Sequence, residues 1–185
     1  RMAAGLGATV VICDVNPARL ERLSLDLPAN VSGLLSDAVA IEEQLPLADL
    51  VIGAVLVPGA RAPHLVSRAQ LRLMRPGSVI VDVCIDQGGC FETSRPTSHA
   101  APTYVEEGVV HYMVTNMPGA VPQTSTRALT GATLPYVLEL AKLGVDGFLA
   151  SAPGRAEALS IRAGRLFDSA VAATFPDLPT LHSGA

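Results

Sequence analysis

Apolar positions group along this chain in two ways: in continuous runs and at helical intervals. Residues 8–14 (Ala-Thr-Val-Val-Ile-Cys-Asp) form a β-branched run that ends on an acid. Over residues 16–27 the apolar positions are Leu20, Leu23 and Leu27, one face of a helix, with Asn16 placed to cap it and Pro17 at its first position. A second run, 48–57, closes on the breaker Pro58-Gly59. Helical spacing returns over 65–74 and stops at the turn signal Pro76-Gly77. A third run, 78–86, follows directly, and a fourth, 109–115, comes after a long polar loop. Beyond about residue 123 the pattern predicts no more strands. Residues 124–143 and 155–173 read as helices, broken around Pro153-Gly154, and no internal repeat is visible.

Continuous apolar strands alternating with helices predict an α/β fold built on a doubly wound parallel sheet covered on both faces. Its domain organisation would be a nucleotide-binding unit over 1–123 and a helical carboxyl-terminal part over 124–185. In such sheets the crossovers are right-handed and ligands sit at the carboxyl ends of the strands. Chemistry is therefore expected at Asp14, at 55–59, at 86–89 and at 116–119.

Asp14 suits one job at that edge. A dinucleotide fold of the Rossmann type has a glycine-rich turn after its first strand and, about 20 residues later, an acid for the adenosine ribose hydroxyls. Counting back that far from Asp14 passes Arg1. Gly5-Leu-Gly7 does not substitute, because a strand follows it, whereas a phosphate loop opens a helix. Those glycines are expected to end the helix of Arg1-Met-Ala-Ala, so the chain would begin inside the first helix of a Rossmann unit that lacks its first strand and loop. A plain turn or cap is the alternative role for Asp14.

Asp86 ends the third run beside Gly88-Gly89, where backbone without side chains admits a ligand. A carboxylate there can accept a hydrogen bond or a proton. The alternative is a strand-end Asp capping a turn. Asp82, inside the same run, reads as a structural acid paired with a neighbouring donor.

Composition narrows the function classes. With 49% hydrophobic and 16% charged residues among 185, the chain is not disordered, and its scattered Gly and Pro exclude a collagen-like or low-complexity protein. Aromatics are 4% with no Trp, so the core must be aliphatic. The net charge is −4, Lys142 is the single lysine, and no basic patch argues for nucleic acid. Cys13, Cys84 and Cys90 are odd in number and lack metal-ligand spacing. Cys13 and Cys84 lie in apolar runs, as buried thiols do, and a reducing, cytoplasmic setting fits. The longest apolar stretch, 50–57, is far short of the ~20 residues of a membrane span. His64, His99, His111 and His182 do not cluster, and Ser94, Ser98 and Ser125 lack a nucleophile-elbow context. Leu134, Val137, Leu138 and Leu140 form a stripe expected to pack on a neighbouring helix, and Arg155, Arg162 and Arg165 a solvated helix face.

At Asp49-Leu-Val-Ile-Gly-Ala-Val-Leu-Val-Pro-Gly59, Ile85-Asp-Gln-Gly-Gly-Cys-Phe-Glu92 and Asn116-Met-Pro-Gly-Ala-Val-Pro122, the sequence resembles the alanine dehydrogenase and pyridine nucleotide transhydrogenase family over essentially its whole length. The transhydrogenase branch usually carries Glu-Gln-Gly-Gly-Asn where this chain has Asp86-Gln87-Gly88-Gly89-Cys90, which favours alanine dehydrogenase. That resemblance implies reversible, NAD-dependent oxidative deamination of L-alanine to pyruvate and ammonia in a homo-oligomer, commonly a hexamer. Carried over by position, Asp14 would bind the adenosine ribose, with Arg19 and Ser36 beside it and Val55 and Leu56 lining the groove. Val83, Cys84, Ile85 and Asp86 would border the nicotinamide ribose, as would Val114, Thr115, Asn116 and Met117. Asp86 would be the active-site aspartate, and no metal is implied. An acid at Asp14 should repel a 2′-phosphate, which favours NAD over its phosphorylated form.

The family places a substrate-binding lysine and an acid-base histidine in an amino-terminal domain onto which the carboxyl-terminal helices fold. Lys142 matches neither role, so these 185 residues are expected not to catalyse alone and to bind NAD weakly. Their helices would then present uncovered apolar faces. The alternatives are a non-catalytic nucleotide-binding module and the NAD-binding part of a transhydrogenase-like protein. A methyltransferase, which also uses a ribose-binding acid, is disfavoured by the Asp-Gln-Gly-Gly and Asn-Met-Pro-Gly loops.

Overall fold

The structure, a computed structural model, describes residues 1–57 and 60–180; Pro58-Gly59 and His182 lie outside the described residues. Helix α1 (Met2–Gly5) ends as Gly7 turns the chain at φ +90° into β1 (Val10–Asp14), the role expected of that glycine pair. Asn16 caps α2 (Pro17–Asp26), its side-chain oxygen accepting the Arg19 N–H at 3.2 Å. Strand β2 (Val31–Leu35) and α3 (Ala38–Gln44, capped by Asp37) come next, neither signalled by the apolar pattern. Gly33 interrupts β2 because α2 lies tight against it: a Cβ there would be 3.3 Å from the Leu20 side chain.

The following elements are β3 (Leu50–Gly53), the single-turn α4 (Arg68–Leu71), β4 (Val79–Asp82), β5 (Thr103–Glu106) and β6 (Val109–Tyr112). Each strand is shorter than the apolar run that contains it. In the third and fourth runs much of the rest is buried loop, as at Cys84, Ile85, Met113 and Val114, so apolarity there records burial and not extended backbone. Asp82, not Asp86, therefore ends the third strand. Strand β5 reaches β6 through Glu107-Gly108, both at positive φ as a two-residue type I′ turn requires.

Helix α5 (Pro122–Ala150) is longer than the spacing predicts and is kinked at Gly144. The helix expected over 155–173 does not form. In its place stand a short 3-10 turn, a hairpin of β7 (Ile161–Arg162) and β8 (Arg165–Leu166), and α6 (Ser169–Thr174). Ala163-Gly164 makes the hairpin's turn with both φ positive. Arg162 and Arg165 pair across it, so no helical arginine face exists. Arg162 binds Asp146 at 2.5 and 3.1 Å, while Arg155 binds Glu139 at 2.9 Å and lies over the Tyr136 ring.

Strands β1 and β2 form one parallel pair; β3, β4 and β6 run parallel in a second sheet, with β5 antiparallel at its edge. The strand order is thus β1-β2 in one sheet and β3-β4-β6-β5 in the other, with parallel neighbours joined by crossovers. The core clusters on the second sheet, around Leu45, Leu71, Ile80, Phe91, Val109 and Met113. Gly53 is obligatory beneath it, since a Cβ would fall 2.1 Å from Cys90 Sγ and 2.8 Å from the Phe91 ring. Cys84 and Cys90 are buried, but Cys13 is exposed, because β1 has a partner on one side only. The stripe of Leu134, Val137, Leu138 and Leu140 is likewise 41–60% exposed: no neighbouring helix among the described residues covers it. No helix among them is long and apolar enough to cross a membrane.

Candidate functional site

Two groups of expected site residues gather at strand ends. In the first, the Asp14 carboxylate accepts the Asn16 N–H at 2.8 Å through one oxygen and Arg19 Nη1 at 2.9 Å through the other. These donors, the backbone bond first and Arg19 second, hold its pKa below the ordinary carboxylate value, so it is an anion at neutral pH. The Asp14 carbonyl also accepts the Ser36 N–H at 3.0 Å, which brings Asp14, Arg19 and Ser36 together. Each carboxylate oxygen keeps a lone pair for a ribose hydroxyl, so the group fits a sugar diol while also serving as the turn's own cap.

The second group is shaped by Asp82. Fully buried at the end of β4, its carboxylate accepts the Cys84 N–H at 2.9 Å, the Cys90 N–H at 2.8 Å and the Ser94 hydroxyl at 2.6 Å. It is the structural acid the sequence suggests, and its three donors fold residues 83–94 back over the sheet. Gly89, buried at φ +79°, is bare for the same reason: a Cβ would meet Ser94 Cβ at 2.4 Å and Asp82 Oδ2 at 2.8 Å. Its missing side chain serves this packing, which leaves Gly88, exposed at φ +100°, as the open member of the pair.

The fold-back sets a 3-10 turn, Ile85–Gln87, on the surface with Ile85 inward and Asp86 outward. From the next strand end, Asn116 sits in the left-handed region (φ 52°, ψ 50°) and turns its N–H toward Asp86 Oδ2 at 3.5 Å. His99 Nε2 donates to the Asn116 carbonyl at 3.2 Å. No spacing singles out His99, because the loop that carries it to residue 116 has no periodic pattern. Val83, Leu56 and Asn116 are exposed, and Val55, Thr115 and Met117 half-buried. The Cys84, Ile85 and Val114 side chains are buried, so those three can offer a ligand only backbone. The Cys84 thiol is engaged with Val55, whose N–H lies 2.8 Å and whose carbonyl lies 2.9 Å from the sulfur. Burial pushes the Cys84 and Cys90 thiols up, away from nucleophilic thiolates.

Although Asp82, Cys84 and Cys90 lie within 4.8 Å of one another, this carboxylate is already committed to backbone and hydroxyl donors. His111 is a satisfied core residue. It is fully buried, stacked on Tyr104 at 4.7 Å, with Nδ1 donating to the Val109 carbonyl and Nε2 accepting from Thr93.

Parallel strands alternating with helices, with Asp14 and Asp86 beyond strand carboxyl ends, place the chain in the doubly wound α/β class. The comparisons carry this further. Residues 1–169 match the domain described as alanine dehydrogenase/PNT, C-terminal domain, and the chain belongs to that family. It is 55% identical to the alanine dehydrogenase of Halomonas elongata over 175 residues, 95% of this chain and 47% of that protein. With that of Mycolicibacterium smegmatis it shares 49% over 179 residues, 97% of this chain and 48% of the other. A solved L-alanine dehydrogenase superposes with a TM-score of 0.82 at 53% identity, covering 95% of this chain and 48% of that one. A solved transhydrogenase from Sinorhizobium meliloti gives 0.58 at 31%, covering 66% and 34%. The chain thus spans about half the length of the alanine dehydrogenases it matches.

Proposed function

We propose that this chain is the dinucleotide-binding half of an NAD-dependent L-alanine dehydrogenase. The observation that carries the reading is the meeting of Asp86 and Asn116 from adjacent strand tips, 3.5 Å apart, in a chain half identical to enzymes of that name. NAD, when bound, would take the hydride from the substrate carbon. Asp14 would hold the adenosine ribose through the acceptor sites that Arg19 and Asn16 leave free. Asp86 would accept a proton from water as the imino acid is hydrated. The Asn116 N–H would keep that carboxylate aimed, and His99 would hold Asn116 in its unusual backbone conformation. Val55 and Leu56 would line the groove between the two ends. The groups that grip the alanine carboxylate and complete proton transfer would come from outside these residues, in an assembly of several copies. The transhydrogenase reading rests on a likeness covering only 66% of the chain and is second.

Fusing this chain to the part of the Halomonas elongata enzyme outside the matched span tests the proposal. The joined protein should reduce NAD with alanine, the 185-residue chain alone should not, and Asp86→Asn in the fusion should slow turnover by about 10²–10⁴-fold. A folded fusion whose rate is indifferent to Asp86→Asn would contradict it.

A further inference from the structure

Residues 62–66 run alongside residues 87–92 as an annex to the second sheet. The Ala62 N–H donates to the Gln87 carbonyl at 3.0 Å, the Leu65 N–H to that of Cys90 at 2.8 Å, and the Glu92 N–H to that of Val66 at 3.0 Å. Val66 and Phe91 are bridged in parallel, and Ala62 and Val66 lie in the same buried cluster as Ile85 and Phe91. The two loops are thus fastened into one unit. Exposed at the same end of it are Asp86, Gly88 and, just before the first of these bonds, Arg61.

Arg61 is held at its base and free at its head. Its Cβ, Cγ and Cδ each lie 3.9 Å from the point that a Cβ on Gly88 would occupy, so the apolar stem rests on the bare face of that glycine. Other arginines around the sheets are already engaged: Arg19 by Asp14, Arg68 and Arg72 by Glu107, Arg75 by Asp49, and Arg95 by the Tyr104 ring. Among the described residues no ion pair, hydrogen bond or ring occupies the Arg61 guanidinium. Its planar fork of N–H donors matches two oxygens of a phosphate. An anionic ligand seated beside the Asp86 carboxylate meets a like charge, and Arg61 is the cation at hand to offset it.

We infer that Arg61 binds the phosphate on the nicotinamide side of the dinucleotide. That phosphate hangs from the nicotinamide ribose by a single methylene, so a ribose held at the Asp86 turn presents it to the side chain lying on Gly88. This inference deepens the proposed function and rests on it for the identity of the nucleotide. The substrate carboxylate is the competing oxyanion, and the test separates the two.

The 185-residue chain is titrated with nicotinamide mononucleotide and with nicotinamide riboside, the same molecule without its phosphate, and binding is followed by amide NMR. The mononucleotide should bind about tenfold or more tighter, shifting the amides of 60–62 and 86–88. Arg61→Gln, at an exposed position that leaves the rest of the spectrum in place, should erase that preference without changing riboside binding, and Arg61→Lys should restore part of it. In the fusion protein Arg61→Gln should raise KM for NAD by a similar factor with KM for alanine unchanged. A fusion that turns over no alanine while the chain keeps its Arg61-dependent preference would support the phosphate site and remove the alanine dehydrogenase reading. Three results would overturn the inference: no preference for the mononucleotide in the unaltered chain, absence of any binding included; a preference that survives Arg61→Gln; or a raised KM for alanine with NAD binding intact, which would give the arginine to the substrate carboxylate.

Discussion

Residues 45–116 and the segments on either side of them are built to different degrees of completeness. The central stretch holds nearly every buried side chain among the described residues; outside it, only Ala4 and Leu166 are buried apolar residues. In the centre, β4 is paired on both sides, and its one internal acid, Asp82, is satisfied by three donors. In the flanks, β1 has one partner and α5 lies open along its length, with Leu129, Val137 and Leu138 between 56% and 66% exposed. A sheet with its own core can stand alone, whereas apolar surface of that kind calls for cover. The centre thus supplies the packed core and the Asp86 turn, and the flanks supply Asp14 and uncovered apolar surface.

Substitutions should break that contrast most plainly. Phe91→Ala, at a ring 1% exposed, should cost about 3–5 kcal/mol in urea unfolding, and Leu138→Ala in α5 within about 0.5 kcal/mol. Equal losses would mean that the flank is as packed as the centre. Glycines sharpen the comparison. Gly89→Ala meets Ser94 and Asp82 at a positive φ and should cost about 2 kcal/mol or more, while Gly131→Ala, with nothing within 4 Å of its new methyl, should stabilise α5 by about 0.5–1 kcal/mol.

Smaller effects come with pH. Burial lowers the His111 pKa below its ordinary 6.5, so the unfolded chain binds the proton first. Stability should then fall as pH drops below 6.5, at no more than about 1.4 kcal/mol per pH unit, and His111→Gln should flatten that slope even if it lowers the whole curve. Least of all, Arg72 and then Arg68 depress the Glu107 pKa below its ordinary 4.5. That contribution is present at neutral pH and is lost as pH falls below this value; being exposed, it should fade in high salt, and Glu107→Gln should remove its salt dependence.

Legibility in the sequence followed the same divide. The runs over 8–14, 48–57, 78–86 and 109–115 each contain a strand, since parallel strands carry continuous apolar sequence, although β1 and β3 are only half-buried. Strand β2 stayed hidden because Gly33 answers to Leu20 across space, and β5 because its residues alternate and its turn is Glu-Gly and not Asn-Gly. Residues 155–173 mislead for a related reason: helical spacing of arginines says nothing when a type I′ turn at Ala163-Gly164 reverses the chain between them. At the candidate site, Asp14, Asp82 and Asp86 stand out because acids at the ends of apolar runs are conspicuous. The Asn116 backbone conformation and the approach of His99 are products of loop packing, which no periodicity encodes.

In the proposed function Asp14 and Asp86, one from each region, serve a single bound dinucleotide. Calorimetric titration of the fusion protein with NAD and with AMP addresses this directly. Asp14→Asn should weaken both ligands by about tenfold or more, whereas Asp86→Asn should leave AMP binding unchanged while turnover collapses. Unaltered NAD affinity in Asp14→Asn would contradict a groove that joins the two strand tips.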